Sequence, residues 1–110
     1  MKPRFLWEAW NKSHIAIHDV SPSEATYVVR HASPPFPRPG ANGKSFVWGR
    51  TDQGRYLQVI YVMRTSDEID YESMAMDDIV ELDEECEVYI YVIHARDLTP
   101  DEKSKFVRNR

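Results

Sequence analysis

Apolar residues recur with a helical period near the start of the chain. Four positions at i, i+4 and i+7 or i+8 form one stripe: Trp10, His14, Ile17 and His18. This spacing predicts a first helix that ends near Asp19 and buries His14 among its apolar neighbours. Residues 5–7 are also apolar and predict a short strand, or a staple packed against that helix.

A second helix is predicted over residues 22–31. Ser21 is placed as its N-cap, Pro22 stands at the first helical position, and Glu24 completes a capping box. The residues predicted to share its buried face are Ala25, Val28 and Val29. The next segment, residues 33–40, contains four prolines, which remove amide donors and fix φ, so a connecting loop is predicted there.

Strand patterns follow the proline-rich segment. Ser45–Arg50 and residues 55–64 are joined by a short turn that contains Gly54, which predicts a hairpin. Residues 88–96 are apolar on both faces, which is typical of a central strand covered on each side.

A final helix is predicted after the last strand. Thr99, Pro100 and Glu102 repeat the capping-box pattern, and the helix continues through Phe106 and Val107. The chain has 110 residues, enough for one hydrophobic core. Helices, then a mostly antiparallel sheet of three to four strands, then a helix predict one small α+β domain.

Charge is distributed very unevenly along the chain. Eleven of the 18 acidic residues lie between Asp67 and Glu87, in a stretch without Lys, Arg or His. The other 89 residues carry 14 basic and seven acidic residues, a balance of +7, although the whole chain is at −4. An acidic total argues against a nucleic-acid partner, but a body at +7 permits one.

Other classes of protein are disfavoured by composition. A single cysteine, Cys86, excludes an internal disulfide, and the glutamates beside it disfavour a thiolate. Apolar runs are only strand-length, so neither a signal peptide nor a membrane-spanning helix is expected, and the cytoplasm is the expected location. No phosphate-binding glycine loop or nucleophile elbow is present, and no cofactor is expected.

His94 and Arg96 form the strongest candidate site in the sequence. They stand two apart on the last predicted strand, so both side chains lie on one face, where apolar positions give way to polar ones. A histidine exchanges a proton near neutral pH and a guanidinium holds a phosphate, which suits metal-free phosphodiester cleavage. In the alternative interpretation, Arg96 pairs with Asp97 or Glu102 and His94 only packs.

Cations and aromatic residues are interleaved along the predicted sheet. Arg50 and Arg55 flank the hairpin turn and Arg64 ends the next strand, at positions suited to successive phosphates. The predicted RNA contacts beyond the candidate site are Arg55, Arg64 and Lys103. The aromatic residues between these cations suit either single-stranded RNA or core packing: Trp48, Tyr56, Tyr61, Tyr89 and Tyr91.

His14 and His18 have the i, i+4 spacing of zinc-binding helices. No glutamate stands between them at the metalloprotease position and no third ligand is evident nearby, so no metal site is predicted. A metal-binding regulator that uses this pair is a third hypothesis. His18, at the end of the helix, is the more accessible of the two.

Three short segments resemble segments of a known family and occur in the same order. Residues 11–25 read Asn-Lys-Ser-His-Ile-Ala-Ile-His-Asp-Val-Ser-Pro-Ser-Glu-Ala, residues 49–57 read Gly-Arg-Thr-Asp-Gln-Gly-Arg-Tyr-Leu, and residues 93–103 read Ile-His-Ala-Arg-Asp-Leu-Thr-Pro-Asp-Glu-Lys. They resemble the N-terminal helix-turn-helix, the Gly-Arg-Thr hairpin and the Ile-Ser-Ala-Arg strand with its capped helix in BrnT-like toxins.

This resemblance implies a RelE-like fold and a metal-independent endoribonuclease of a type II toxin-antitoxin system. An antitoxin protein encoded nearby and RNA are the implied partners. By position, His18 matches the family's Lys-His-Gly histidine, Arg50 its hairpin arginine and Arg96 its Ser-Ala-Arg arginine. The candidate catalytic residues are these three and His94, which comes from the strand pattern and not from the family's pattern. In the chemistry that the resemblance implies, His18 or His94 moves a proton, and Arg50 and Arg96 stabilise the charge on phosphorus.

The chain departs from the family's pattern at four positions. Ile17 replaces the lysine, Asp19 the glycine and His94 the serine, and Phe106 stands where tyrosine is common. The cation missing at Ile17 favours a second hypothesis, a non-catalytic interaction module that keeps the fold and binds a protein partner.

The acidic segment, residues 67–87, is longer than the hairpin turn expected between two strands of such a sheet. Its apolar positions permit an amphipathic turn or helix, although a solvated insertion is the simpler interpretation: Met74, Met76, Ile79, Val80 and Leu82. A sharper hypothesis is that the segment covers the cationic face and competes with RNA.

Overall fold

Five strands and three helices make up the described part of the chain, and this arrangement confirms the predicted α+β class. The computed structural model describes residues 4–65 and 88–108. In chain order the elements are β1 (Arg4–Phe5), α1 (Ala9–Ala16), α2 (Pro22–Arg30), β2 (Arg38–Pro39), β3 (Ser45–Arg50), β4 (Tyr56–Thr65), β5 (Val88–Asp97) and α3 (Pro100–Arg108). The predictions for the acidic segment and for Cys86 fall outside the described residues.

The sheet has the strand order β1-β5-β4-β3-β2. β1 runs parallel to β5, and the other neighbours are antiparallel. The prediction of three to four strands missed β2, one of the two short edge strands. β2 also corrects the prediction of a continuous loop over residues 33–40, because Arg38 pairs with Phe46 and Pro39 with Ser45. A proline is tolerated there because an edge strand has one side that needs no amide donor.

Both predicted capping boxes are present. The hydroxyl of Ser21 accepts a hydrogen bond from the amide of Glu24 at 3.1 Å, and the Glu24 carboxylate accepts one from the amide of Ser21 at 3.0 Å. Thr99 and Glu102 repeat this exchange at 3.2 and 2.8 Å. Because these residues satisfy amide groups that a helix start leaves open, they fix where α2 and α3 begin.

The predicted buried stripe of α1 is wrong. Trp10 is 52% exposed and Ile17 is 72% exposed, whereas Asn11 and Ile15 are fully buried. His14 is half-buried beside this face and is not part of the core cluster. The face that packs on the sheet therefore carries Asn11 and Ile15 and not Trp10 or Ile17.

Asn11 explains why a polar residue occupies the buried face. Its amide nitrogen donates to the carbonyl of Leu6 at 2.9 Å, and its amide oxygen accepts from the backbone N–H of Glu8 at 2.8 Å. A buried amide that makes these bonds avoids the cost of an unsatisfied polar group. The helix ends at Ala16, three residues before the predicted end, and Asp19 completes the turn after it.

A bulge in β5 sets the orientation of its second half. Ile60 pairs with His94 whereas Tyr61 pairs with Val92, so Ile93 is an extra residue without a direct partner on β4. The extra residue shifts the alternation of side chains by one position. His94 consequently lies on the sheet face opposite to that of Val92.

The two faces of the sheet are both used for packing, as predicted for β5. One face carries the main core: Ile15, Val20, Ala25, Val28, Val47, Leu57, Val59, Tyr61, Ile90, Val92 and Ala95. The other carries a smaller buried cluster: Leu6, Tyr89 and Tyr91. His94 and Arg96 follow this smaller cluster along β5, where burial decreases. The three described helices have eight or nine residues, and none of them is long and apolar enough to cross a membrane.

Candidate active site

Three histidines meet beside β5. The ring of His94 lies 5.2 Å from that of His18 and 6.3 Å from that of His14, measured between ring centroids. α1 supplies His14, and the turn that follows α1 supplies His18. These three residues are called the histidine cluster below. The sequence predicts His18 and His94 as site residues but assigns His14 to the core, which the structure corrects.

A stack of aromatic rings holds α1 against β5. The ring of Trp10 stacks on His14 at 4.7 Å and on Tyr91 at 6.2 Å. The hydroxyl of Tyr91 donates to the carboxylate of Glu8 at the start of α1. Burial and this hydrogen bond raise the pKa of Tyr91. These contacts fix the position of His14 relative to His94.

His94 has the most unusual environment in the histidine cluster. Its Nδ1 is buried and has no hydrogen-bond partner among the residues that the structure describes. Burial lowers the pKa of His94 below its ordinary value, and positive charge on His18, Arg96 and His14 lowers it further. His94 is therefore neutral at pH 7. A buried ring nitrogen without a partner costs about 1–3 kcal/mol.

The geometry of the histidine cluster bears on metal binding as well. Within residues 4–65 and 88–108, no group of three or more His, Cys, Asp or Glu side chains is arranged to hold a metal ion. His14 and His18 instead meet His94 edge-on, with interplanar angles of 64° and 62°. In this arrangement His18 and His14 both lower the pKa of His94.

Arg96 is held by Glu102. Its two terminal nitrogens donate to the two carboxylate oxygens at 2.7 and 2.9 Å, and one of them also donates to the carbonyl of Asp97 at 3.0 Å. The ion pair raises the pKa of Arg96 and lowers that of Glu102 to about 2. The alternative interpretation of the sequence, in which Arg96 pairs with Glu102, is confirmed for this residue. Its guanidinium is fixed two residues beyond His94 on the same sheet face.

Arg55 joins three elements. It donates to the carboxylate of Asp97 at 2.7 and 3.1 Å, to the carbonyls of Asp19 and His18 at 2.6 and 2.9 Å, and to the carboxylate of Glu24 at 3.3 Å. The hydrogen bonds from Arg55 lower the pKa of Asp97. The sequence predicts an RNA contact for Arg55, but its donors connect the end of α1 with α2 and β5. We therefore assign Arg55 to stability.

Arg50 lies apart from the histidine cluster. It ends β3 opposite Tyr56, with its guanidinium carbon 5.9 Å from the centre of the tyrosine ring. Strands about 4.8 Å apart with a rise of about 3.3 Å per residue place the Cα atoms of Arg50 and His94 roughly 16 Å apart. Of the four candidate catalytic residues, the structure brings His18 and His94 together, keeps Arg96 beside them and separates Arg50.

The other two predicted RNA contacts lie over tyrosine rings. The guanidinium carbon of Arg64 is 5.3 Å from the ring centre of Tyr91, and the ammonium of Lys103 is 4.7 Å from that of Tyr56. Attraction to an aromatic face holds these cations against the sheet. Their contact with RNA stays a prediction.

His31 is a titratable residue that sequence reasoning missed. It caps the end of α2, and its ring stacks on Tyr27 with centroids 3.9 Å apart. Its Nδ1 lies 2.9 Å from the carbonyl oxygen of Tyr27. A carbonyl only accepts, so Nδ1 carries hydrogen and Nε2 is left for other contacts. The i, i+4 spacing of these two residues is a signal that the sequence contains.

Comparison with protein-family models, with curated proteins and with solved structures finds no match to this chain. The resemblance to BrnT-like toxins therefore stays a prediction that rests on three short segments. Function is inferred below from the side chains on the sheet face.

Proposed function

We propose that the protein is a metal-independent endoribonuclease whose general base is His94. The observation that carries the proposal is a partly buried histidine whose ring meets two other histidines. A general base must be unprotonated at the working pH and must reach a substrate proton. The lowered pKa of His94 meets the first need, and the partial exposure of the residue supports the second. The +7 balance outside the acidic segment favours an anionic substrate.

The proposed reaction is a transesterification within the RNA backbone. His94 removes the proton from a ribose 2′-hydroxyl, and the resulting oxygen nucleophile attacks the adjacent phosphorus. The bond from phosphorus to the 5′-oxygen of the next nucleotide breaks, and His18 acts as the general acid that gives that oxygen a proton. The products are a 2′,3′-cyclic phosphate and a 5′-hydroxyl, and one proton has passed from His18 to His94 overall.

Arg96 is assigned to the negative charge that develops on phosphorus. Its positive charge already acts on His94, and Glu102 fixes the position of its guanidinium. A cation held in place before the reaction stabilises a transition state without reorganisation. Arg50 lies too far along the sheet to share this role and is assigned to another phosphate of the RNA.

RNA cleavage by the purified protein in the presence of EDTA tests the proposal. His94→Gln and His18→Gln are each expected to lower the rate at least about 100-fold, because a positioned acid or base typically contributes about 10²–10⁴-fold. Arg96→Lys keeps the charge but loses the two-pronged contact with Glu102, so a smaller loss is expected.

Lys44→Gln is the matched control for this series. Lys44 is an exposed cation on the loop before β3, outside the histidine cluster, and its removal should leave the cleavage rate unchanged. Circular dichroism would confirm that each variant is folded. Cleavage by His94→Gln at the wild-type rate would overturn the proposal.

A non-catalytic interaction module is the second candidate function, and the exposed face of α1 favours it. Trp10 is 52% exposed and Ile17 is 72% exposed, and with His14 they line a shallow cavity of about 400 Å³. Large apolar side chains at helical spacing suit a protein partner, such as an antitoxin encoded nearby. Intact RNA, together with a co-expressed complex that Ile17→Ser disrupts, would favour this function over catalysis.

A further inference from the structure

Two adjoining cavities open near α3, at some distance from the histidine cluster. The first has a volume of about 360 Å³ and is lined by Phe36, Trp48 and Phe106. The second has a volume of about 320 Å³ and is lined by Arg50 and His31 together with the same Trp48 and Phe106. Because they share these walls, the two cavities form one continuous depression, called the aromatic cleft below. Each cavity has the size of a small-molecule site.

The wall of the aromatic cleft is built from rings that hold one another in place. The ring of Phe36 lies 5.8 Å from that of Trp48 and 6.2 Å from that of Phe106. The indole nitrogen of Trp48 donates to the side-chain oxygen of Gln58 at 2.9 Å, which fixes the plane of the indole. All three aromatic residues are only partly buried, so ring surface is available in the cavity. Fixed aromatic surfaces of this kind stack nucleobases.

Cations stand on both sides of the aromatic wall. Arg38 and Lys105 line the first cavity, and Arg50 lines the second. Asp52 is the one carboxylate among the lining residues of the two cavities. Three cations against one carboxylate favour an anionic ligand, and Arg and Lys are the side chains that hold phosphates.

We propose that the aromatic cleft binds one nucleotide of single-stranded RNA. The base stacks on the wall formed by Phe36 and Trp48, and the flanking phosphates contact Arg38 and Lys105 on one side and Arg50 on the other. Trp48 pairs with Gln58, which pairs with Arg96, so the wall lies on the same sheet face as His94. Strand spacing places the Cα atoms of Trp48 and His94 roughly 12 Å apart, so recognition and cleavage act on different nucleotides.

This inference rests on the proposed function because it takes RNA as the ligand, but binding alone tests it. The probe is a 2′-O-methyl oligonucleotide, which has no free 2′-hydroxyl and is not cleaved. Loss of base stacking in Trp48→Leu is expected to weaken its binding roughly tenfold. The double variant Arg38→Gln/Lys105→Gln changes exposed residues, so it keeps the fold, and it should both weaken binding and reduce the dependence of affinity on salt.

Lys44→Gln should bind as the wild type does. A nucleoside monophosphate is expected to compete better than either the nucleoside or inorganic phosphate. Unchanged binding by both cleft variants, or inorganic phosphate competing as well as the nucleotide, would overturn the aromatic cleft as a nucleotide site. If His94→Gln abolishes cleavage while the cleft variants bind normally, the inference fails and the proposed function stands. If the oligonucleotide binds through the cleft but the wild-type protein cleaves no RNA, the proposed function fails and the inference stands.

Discussion

A single residue, Asp19, ends the turn that carries His18. Its φ of +57° lies in the left-handed region, which glycine adopts most easily and which aspartate tolerates better than most residues. The turn directs the carbonyls of His18 and Asp19 to Arg55, so one backbone angle links the histidine cluster to the rest of the fold.

His94 is expected to make the stability of the protein depend on pH. Burial lowers the pKa of His94 below its ordinary value of 6.5, so the unfolded chain takes up a proton at a higher pH than the folded protein does. The stabilising contribution is complete above about pH 6.5 and is lost as the pH falls through the folded-state pKa. Urea unfolding at pH 7 and pH 5 should therefore show a smaller loss of stability for His94→Gln than for the wild type.

The carbon-bound ring protons of His94 report the same property directly in an NMR titration. An inflection below that of free histidine is expected, and it should move upward when His18→Gln removes one neighbouring charge. In the urea experiment, equal losses of stability between pH 7 and pH 5 in the wild type and in His94→Gln would contradict the burial of this ring.

At the scale of the elements, features that depend on neighbouring residues were predictable from the sequence. Features that depend on residues far apart in the sequence were not. The capping residues of α2 and α3 act within four residues of one another, so the sequence predicts where these helices begin. β1 and β2 have two residues each, and the apolar residues 5–7 indicate β1 locally. β2 becomes a strand only because β3 lies beside it. No local pattern contains that information.

In the candidate site, too, features that depend on neighbouring residues were predictable and features that depend on distant residues were not. The period of two along a strand predicts that His94 and Arg96 share a face, and the structure agrees. The partners of Arg55 lie 31 to 42 residues away in sequence, so its role in holding the elements together depends on the tertiary fold. α1 buries Asn11 together with Ile15 and leaves Trp10 and Ile17 exposed, and two hydrogen bonds satisfy the Asn11 amide.

The packing of α2 on β3 depends on the absence of a side chain at Gly49. A Cβ atom at this position would lie 2.8 Å from a methyl carbon of Val28, which is 1% exposed. Gly49→Ala is therefore expected to lower the free energy of unfolding by about 1–3 kcal/mol in urea denaturation. Gly40→Ala is the matched control, because the nearest atom to its Cβ lies at an ordinary 3.5 Å.

The same cost should shrink when Gly49→Ala is measured in a Val28→Ala background, because the clashing methyl carbons are gone. A cost that stays the same in both backgrounds would show that the contact between α2 and β3 is not its cause.

The main role expected of Arg55 is to stabilise the fold, not to contact RNA. Arg55→Ala removes hydrogen bonds to two carboxylates and two backbone carbonyls, and should cost about 1.5–3 kcal/mol of unfolding free energy. Arg55→Lys keeps the charge but not the fork, so an intermediate loss is expected. Arg50→Ala is the control and should change stability by about 0.5 kcal/mol or less. Equal stability of the Arg50 and Arg55 variants would contradict the structural role of Arg55.

At the scale of the whole molecule, the chain combines a cationic body with one strongly acidic segment. Thr65 and Val88 pair directly at the ends of β4 and β5, so the segment between them starts and finishes at the same end of the sheet. The histidine cluster and the aromatic cleft lie further along these strands. The hypothesis that the acidic segment covers the cationic face and competes with RNA is tested by removing the charge of the segment.

Replacing residues 67–87 with a short Gly-Ser linker is expected to strengthen RNA binding. The paired positions of Thr65 and Val88 allow a short linker to close the connection. The replacement removes eleven acidic residues and changes the net charge from −4 to +7. Affinity for a 2′-O-methyl oligonucleotide at low salt should rise about tenfold or more, with a steeper dependence on salt. Unchanged affinity and salt dependence would exclude the acidic segment as a mask.

The chemistry of the RNA ends after cleavage tests the central claim most directly. The wild-type protein, free of any partner and incubated with a defined oligoribonucleotide in EDTA, should leave a 2′,3′-cyclic phosphate and a 5′-hydroxyl, which mass spectrometry identifies. His94→Gln should leave the oligonucleotide intact over the same time. An intact oligonucleotide with the wild-type protein, or the same products at the same rate from His94→Gln, would contradict a ribonuclease that uses His94 as its base.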